Sequence, residues 1–491
     1  MTESMTVFAT TECTDSLLPV VGAGLPVPLV TGGSVPYANL DYAASAPALR
    51  AVAEHLATAL PYYASVHRGA GYASQVSTAL LENSRLCIGR FLGAREDDLV
   101  VFTRNTTDAL NLLAHCVPQG GSVLYLDIEH HANLLPWQRR GDVVLEAAPT
   151  LRETLADVEA ALAATPTALL AVTGASNVTG QLLPFKQLAK IAHRYGTRIA
   201  VDAAQLAPHR RVSLTESGID YLALSGHKLY APYGAGVLVG RRDWLDAAPA
   251  YLAGGGAVRE VGITETDWAT GPARHEGGTP NVLGAAALAR ACEELATVGG
   301  KALAEHEEAL RQRLLAGLAQ LPEVSILQIW EPDDAAEAAA TTATTPTGPK
   351  TENSPHTDSD PAPSKSDSKS DSDSDSIGVV SFTIAGYHAG WVAAYLSAEH
   401  GIGVRDGRFC AHPLLNKLGL AGDGAIRASF GVGSTSADAD RLITALRTLL
   451  SEGASWKYEL VDGRYTPVND PRPIPDFAGP RSSVSSPCQA D

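Results

Sequence analysis

The chain has 491 residues, 45% of them apolar, and a formal net charge of −17, which is enough length for two or three domains that each bury a core. So acidic a chain excludes nucleic acid and anionic membrane as partners, since both need a basic field. No apolar run of about 18 residues is available to span a bilayer, no basic residue precedes Arg50 to begin a secretory signal, and the six cysteines show no metal or CxxC spacing, which points to a reducing, cytoplasmic setting.

Residues 1–35 mix Thr, Gly, Pro and Val without a sustained period and predict a flexible leader, with a short docking segment at its end. Residues 36–54 form an N-terminal segment that opens in "VPYANLDYAASAP". Over 55–300 short apolar runs alternate with amphipathic stretches, the pattern of an α/β large domain on a mainly parallel sheet. Seven strands are expected, at "DLVVF", "SVLYLD", "DVVLEA", "ALLAVTG", "RIAVDAA", "DYLALS" and "AGVLVG". Between them lie helices such as "QLAKIAHRYG", closed by a C-cap glycine. A smaller α+β C-terminal domain follows over 301–451, carrying "GVVSFTI", "AGWVAAYLSAEHG" and "AIRASF". It is interrupted at 333–376 by a segment with ten acids against three lysines. Lacking aromatic residues, that segment cannot offset its ordering entropy by burial and is expected to be disordered. It reads either as a phosphorylatable or partner-binding linker or as a tolerated surface insertion. Residues 452–491 form a Pro-rich tail.

Chemistry gathers where strands end, the side on which parallel α/β sheets bind ligands. Asp202 and Gln205 end one strand, and Ser225, His227 and Lys228 end another. An aspartate against a pyridinium nitrogen, with a lysine 26 residues later as Schiff base, is what a pyridoxal 5'-phosphate site needs, because the acid keeps the ring protonated as an electron sink. Thr106 and Thr107 open a helix after a strand, where hydroxyls and free N–H groups suit a phosphate dianion. "EHHANLLPW" sets His130 where an imidazole can stack on a planar ring, and Asn177 in "ASNVTG" suits a hydrogen bond to a ring hydroxyl.

Taken with "YYASVHRGAG", "TRNTTDALNL", "LSGHKLYAPYGAGVL", "HEGGTPN", "VRDGRFCAHPL" and "IRASFGVG", these motifs resemble the class V aminotransferase family of fold-type I pyridoxal phosphate enzymes. Within it they are most similar to the cysteine desulfurase and selenocysteine lyase branch with an "RxGxxC" loop. The likeness runs over about 36–450, apart from the insertion. It implies Lys228 as the Schiff-base lysine, Asp202 at the pyridine nitrogen, Gln205 and Asn177 at the ring hydroxyl, and His130 on the ring. It further implies phosphate contacts from Thr106, Thr107, Ser225 and His227, with Thr279 reaching the phosphate of the other subunit of a homodimer. Arg427 would hold the substrate carboxylate by a bidentate fork, and Arg405 would brace the loop of Cys410. No metal is implied.

By the same resemblance Cys410 is the nucleophile that takes sulfur from L-cysteine as a persulfide, leaving L-alanine, with a protein as possible sulfur acceptor. Gly407 gives its loop freedom, and Arg405, Arg408 and His412 give positive field that favours a thiolate, while Asp406 opposes it. The branch often has two histidines before this cysteine, and Arg408 and Phe409 stand here instead. Two other readings stay open: an aminotransferase, epimerase or β-lyase on another small amino acid that does not use the thiol, and a weakly catalytic scaffold subunit.

Overall fold

A computed structural model describes residues 14–331 and 376–479. The seven expected strands form one sheet: β1 (Asp98–Thr103), β2 (Val123–Leu126), β3 (Val143–Leu145), β4 (Leu169–Thr173), β5 (Arg198–Asp202), β6 (Tyr221–Ser225) and β7 (Gly236–Arg241). Their order across the sheet is β1-β7-β6-β5-β4-β2-β3. Only β7 runs antiparallel to its neighbours, β1 and β6. Alternate residues feed two separate cores, Leu170 and Val172 on one face and Leu169 and Ala171 on the other. With both faces covered, β4, β5 and β6 are buried almost throughout and read as continuous apolar runs.

The smaller domain carries an antiparallel sheet of β8 (Val324–Ile326), β9 (Val379–Ile384), β10 (Arg405–Gly407) and β11 (Ala425–Ser429), ordered β8-β9-β11-β10. Helices Gly300–Leu318, Ala389–His400 and Ser436–Glu452 share its core. The β10–β11 pairing sets Arg405 directly opposite Arg427. At its end Gly424 adopts φ +66°, and a Cβ there would lie 2.4 Å from the Gly407 carbonyl, so the strands can approach only without a side chain.

The leader departs from expectation. Residues 1–13 lie outside the described residues, but 14–35 are packed rather than flexible. The N–H groups of Leu17 and Leu18 donate to Val432 O at 2.7 and 3.0 Å. Pro26–Pro28 pairs with Ser34–Pro36, and Val20 and Val30 are buried. Apolar side chains spaced too irregularly to show a period find the small domain's surface, and the prolines sit in a two-stranded ribbon where a missing donor is tolerated. Ala38 and Asn39 then pair with Ile402 and Gly403. The tail begins with a hairpin, Tyr458–Val461 with Arg464–Pro467, and the approach to it is tied down by Glu399, which accepts from Ser455 N–H, Trp456 N–H and the Tyr458 hydroxyl. Residues 480–491 lie outside the described residues, as does the acidic insertion apart from Ser376.

Candidate active site

Between the carboxyl ends of the large sheet and the small domain lies a cavity of about 330 Å³. Its lining gathers Thr106, Thr107, His130, Asn177, Asp202, Gln205, Ser225, His227, Lys228, Arg405, Cys410 and Arg427. Thr279 alone of the predicted site residues is absent from it and is exposed at the surface. A larger groove of about 1390 Å³ borders Arg210 and Trp330 but holds none of the predicted site residues, so the smaller cavity is the candidate site.

Strand ends explain the convergence. Asp202 closes β5, its Oδ1 accepting from Ala204 N–H at 2.9 Å. Burial raises its pKa against the opposing pull of that N–H and of Lys228. Past the end of β6 the chain turns through Gly226, where a Cβ would stand 2.7 Å from Ala235 O, and this tight turn delivers Lys228 to the cavity. Burial, reinforced by Arg427 and opposed by Asp202, brings the Lys228 amine down to about 8. A displaced amine pKa of this kind is what imine formation at neutral pH requires.

Asn105 caps the helix Thr106–Cys116 by accepting from Asp108 N–H at 3.0 Å. Ser225 Oγ lies 2.7 Å from Thr106 Oγ1 and accepts from Thr106 N–H at 2.8 Å, locking β6 to that helix start. His130 caps the next helix, His131–Arg140. Its Nδ1 accepts from Ala132 N–H at 3.0 Å, so the neutral ring carries its proton on Nε2. Burial, with Lys228, His131 and Arg427 nearby, lowers His130 to about 3, and burial beside Lys228 lowers His227 to about 4. Both imidazoles are neutral at pH 7.

Gln205 donates through Nε2 to Ala43 O at 2.7 Å, while its Oε1 is buried without a partner among the described residues. An aromatic hydroxyl brought into the cavity would satisfy that acceptor. With the hydroxyls of Thr106 and Thr107 at a helix start, and with Asp202 and Lys228 on neighbouring strand ends, the residues fit pyridoxal phosphate.

The small domain supplies the other wall. Arg427 is buried, donating from one terminal nitrogen to Asn177 O at 2.9 Å and from the other to Asp41 Oδ1 at 3.0 Å. Its Nε–H has no partner among the described residues. Burial lowers the Arg427 pKa and raises that of Asp41, and the pair opposes both shifts. The Phe409 ring packs against the guanidinium at 5.2 Å, and Phe409 O accepts from Asn177 Nδ2 at 2.8 Å. Asn177 therefore braces the cysteine loop as well as lining the cavity.

Three residues carry weight that the sequence reading left unassigned. Glu129 is fully buried, accepting from Asn133 Nδ2 at 2.7 Å and from Thr173 N–H at 3.0 Å, and Asn133 Oδ1 in turn accepts from Trp137 Nε1. Burial pushes Glu129 up to about 8 against those two bonds. The i, i+4, i+8 spacing of Glu129, Asn133 and Trp137 was the available signal. Asp41 gave no local signal, because its partner Arg427 is 386 residues away. His131 was visible only as the second of two histidines.

A family model for Aminotransferase class-V matches residues 38–352 and 366–442. The chain is 32% identical over 442 residues to a cysteine desulfurase of Dickeya dadantii, covering 87% of this chain and 96% of that one. It is 32% identical over 426 residues to a cysteine desulfurase of Pectobacterium carotovorum, covering 84% and 93%. Among solved structures it is similar to the apo cysteine desulfurase of Thermococcus onnurineus NA1, with 30% identity, TM-score 0.69, and coverage of 84% of this chain and 94% of that one. It is similar also to the S-sulfonic acid form of the cysteine desulfurase CsdA from Escherichia coli, with 30% identity, TM-score 0.68 and the same coverage.

Proposed function

The chain belongs to the class V aminotransferase family and is a cysteine desulfurase-like enzyme, and from that premise we propose that it converts L-cysteine to L-alanine with Cys410 as sulfur acceptor and pyridoxal phosphate as cofactor. The observation that carries the reading is that Lys228, Arg427 and Cys410, drawn from two domains, line one cavity.

Lys228, Asp202, Gln205, Asn177, His130, Thr106, Thr107, Ser225 and His227 would hold the cofactor, which when bound supplies an electron sink for the substrate Cα. Arg427 offers the α-carboxylate the N–H groups left over from Asn177 and Asp41, its Nε–H among them. Arg405, across the strand pair, adds positive field. With a pKa of about 8, about a tenth of Lys228 is neutral at pH 7 and able to take the Cα proton at Nζ. Cys410 Sγ then attacks the substrate sulfur. The new S–S bond forms as the Cβ–S bond breaks, and the electron pair of that bond stays with the carbon skeleton. Protons returned to carbon complete the methyl group of alanine. L-Cysteine plus the Cys410 thiol thus gives L-alanine plus the Cys410 persulfide, with no external oxidant.

The same reading makes the protein a homodimer whose Thr279 serves the partner's site. It is supported by exposed Leu60, Tyr62 and Tyr63, the two tyrosines lining a pocket of about 200 Å³ that also reaches Val282. The same reading has a protein as the final sulfur acceptor and a cytoplasmic setting, and the latter accords with Cys87, Cys116 and Cys292, which are buried and unpaired among the described residues. Among the described residues no helix is long and apolar enough to cross a membrane.

The test is incubation of the cofactor-loaded protein with L-cysteine and a reductant. Alanine and sulfide should appear in equal amounts, and Cys410→Ser should stop both while keeping the visible cofactor absorbance. Wild-type protein that releases neither product, or a Cys410→Ser variant that turns over at the wild-type rate, would refute the proposal.

A further inference from the structure

We propose that His131 is a positioning residue for Cys410, clamping the loop that carries the thiol; this rests on the reading of Cys410 as sulfur acceptor.

Phe409 and Cys410 adopt φ +51° and +53°, two consecutive side-chain-bearing residues in left-handed backbone. Such a turn persists only where surrounding contacts over-determine it. On its leading side Asn177 Nδ2 donates to Phe409 O at 2.8 Å, and Arg427 packs on the Phe409 ring. On its trailing side one residue makes two contacts. The His131 N–H donates to Cys410 O at 2.8 Å, and His131 Nε2 accepts from His412 N–H at 3.3 Å. The His131 and His412 rings meet edge to face, 4.4 Å between centroids. Backbone donor and ring acceptor of His131 therefore bracket the segment from Cys410 to His412.

The placement follows from the helix start. His130 is the N-cap of the helix His131–Arg140 and His131 its first residue, so the chain turns between the two side chains. His130 lines the cavity and His131 meets the loop. Because Nε2 accepts, the His131 ring must be neutral with its proton on Nδ1, and burial together with His412 and Arg408 holds its pKa below the ordinary value. The residue that touches the loop is thereby tied through one peptide bond to the residue proposed to cover the cofactor, which fixes the thiol relative to the reacting centre.

The experiment uses the full-length, cofactor-loaded protein and two variants. His131→Phe keeps a ring but removes the acceptor, and His131→Gln keeps an acceptor. The rate of iodoacetamide alkylation is read on the Cys410 peptide by mass spectrometry, beside kcat and KM for L-cysteine. Loss of one hydrogen bond should speed alkylation of His131→Phe about three- to tenfold and lower kcat by a similar factor, with KM and the visible cofactor absorbance little changed. His131→Gln should stay near wild type in all four readouts. Wild-type alkylation in His131→Phe, equal disturbance by Gln and Phe, or loss of cofactor absorbance in His131→Phe would each overturn the proposal. Failure of the Cys410 reading would show separately, as turnover surviving Cys410→Ser, while alkylation still reports the clamp.

Discussion

Replacing Glu129 by Gln separates the two opposing influences on a fully buried carboxyl. Both oxygens accept hydrogen bonds, from Asn133 Nδ2 and Thr173 N–H, which favours the anion. Burial favours the acid more strongly and moves the group from an ordinary value of 4.5 to about 8. A folded-state pKa raised above the unfolded one means that the folded protein binds more protons between those two values, so its stability is full below about pH 4.5 and falls as pH rises toward 8. At about 1.4 kcal/mol per pH unit, that window corresponds to roughly 3–5 kcal/mol. Gln cannot ionise and removes this slope, but its amide nitrogen must face one of the two donors. Asn133 cannot turn over to help, because its Oδ1 already accepts from Trp137 Nε1. The donor conflict should cost about 1–3 kcal/mol at acidic pH. Urea midpoints measured from pH 5 to 8.5 should therefore place the variant below wild type at pH 5, with the gap closing or reversing by pH 8.5. Parallel curves for the two proteins would refute the assignment of Glu129 as a buried acid that resists ionisation.

Arg427→Lys keeps the charge but loses the planar fork that bonds Asn177 and Asp41 and is proposed to hold the substrate carboxylate, so KM for L-cysteine should rise about ten- to a hundredfold. Gly424→Ala places a Cβ against the Gly407 carbonyl at φ +66°; the urea midpoint should fall by the equivalent of about 1–3 kcal/mol, with slower sulfide release as β10 is pushed away from β11. Only neutral Lys228 can attack a carbonyl, so capture of pyridoxal phosphate by apoprotein should accelerate with pH and level off above about 8, read as growth of visible absorbance.

The large domain was legible because each of its strands is a short apolar run with a turn signal on either side. The reversed direction of β7 was not, since burial on both faces makes parallel and antiparallel strands look alike. Lys228 and Asp202 were readable because both leave their strands within a few residues, so local spacing reports their convergence. Asp41 and Arg427 meet only through the tertiary fold, and no periodicity encodes a pair so far apart. Residues 14–35 misled for a related reason: their few apolar side chains are recognisable as core only once the surface they cover is known. The packing of Phe409 on Arg427, with Cys410 at the cavity wall, likewise joins residues from separate segments of the chain and has no local signal.

The pairing of Asp41 with Arg427 also bears on when the protein can first act during its synthesis. Everything that would grip the cofactor from within the subunit is already translated by Lys228, and the sheet that presents it is finished with β7 at Arg241. The carboxylate anchor and the thiol come last, and the anchor is completed only when chain made at the outset folds back against chain made near the finish. A chain elongated only as far as β7 thus has Lys228 and Asp202 but neither Cys410 nor the Asp41–Arg427 pair.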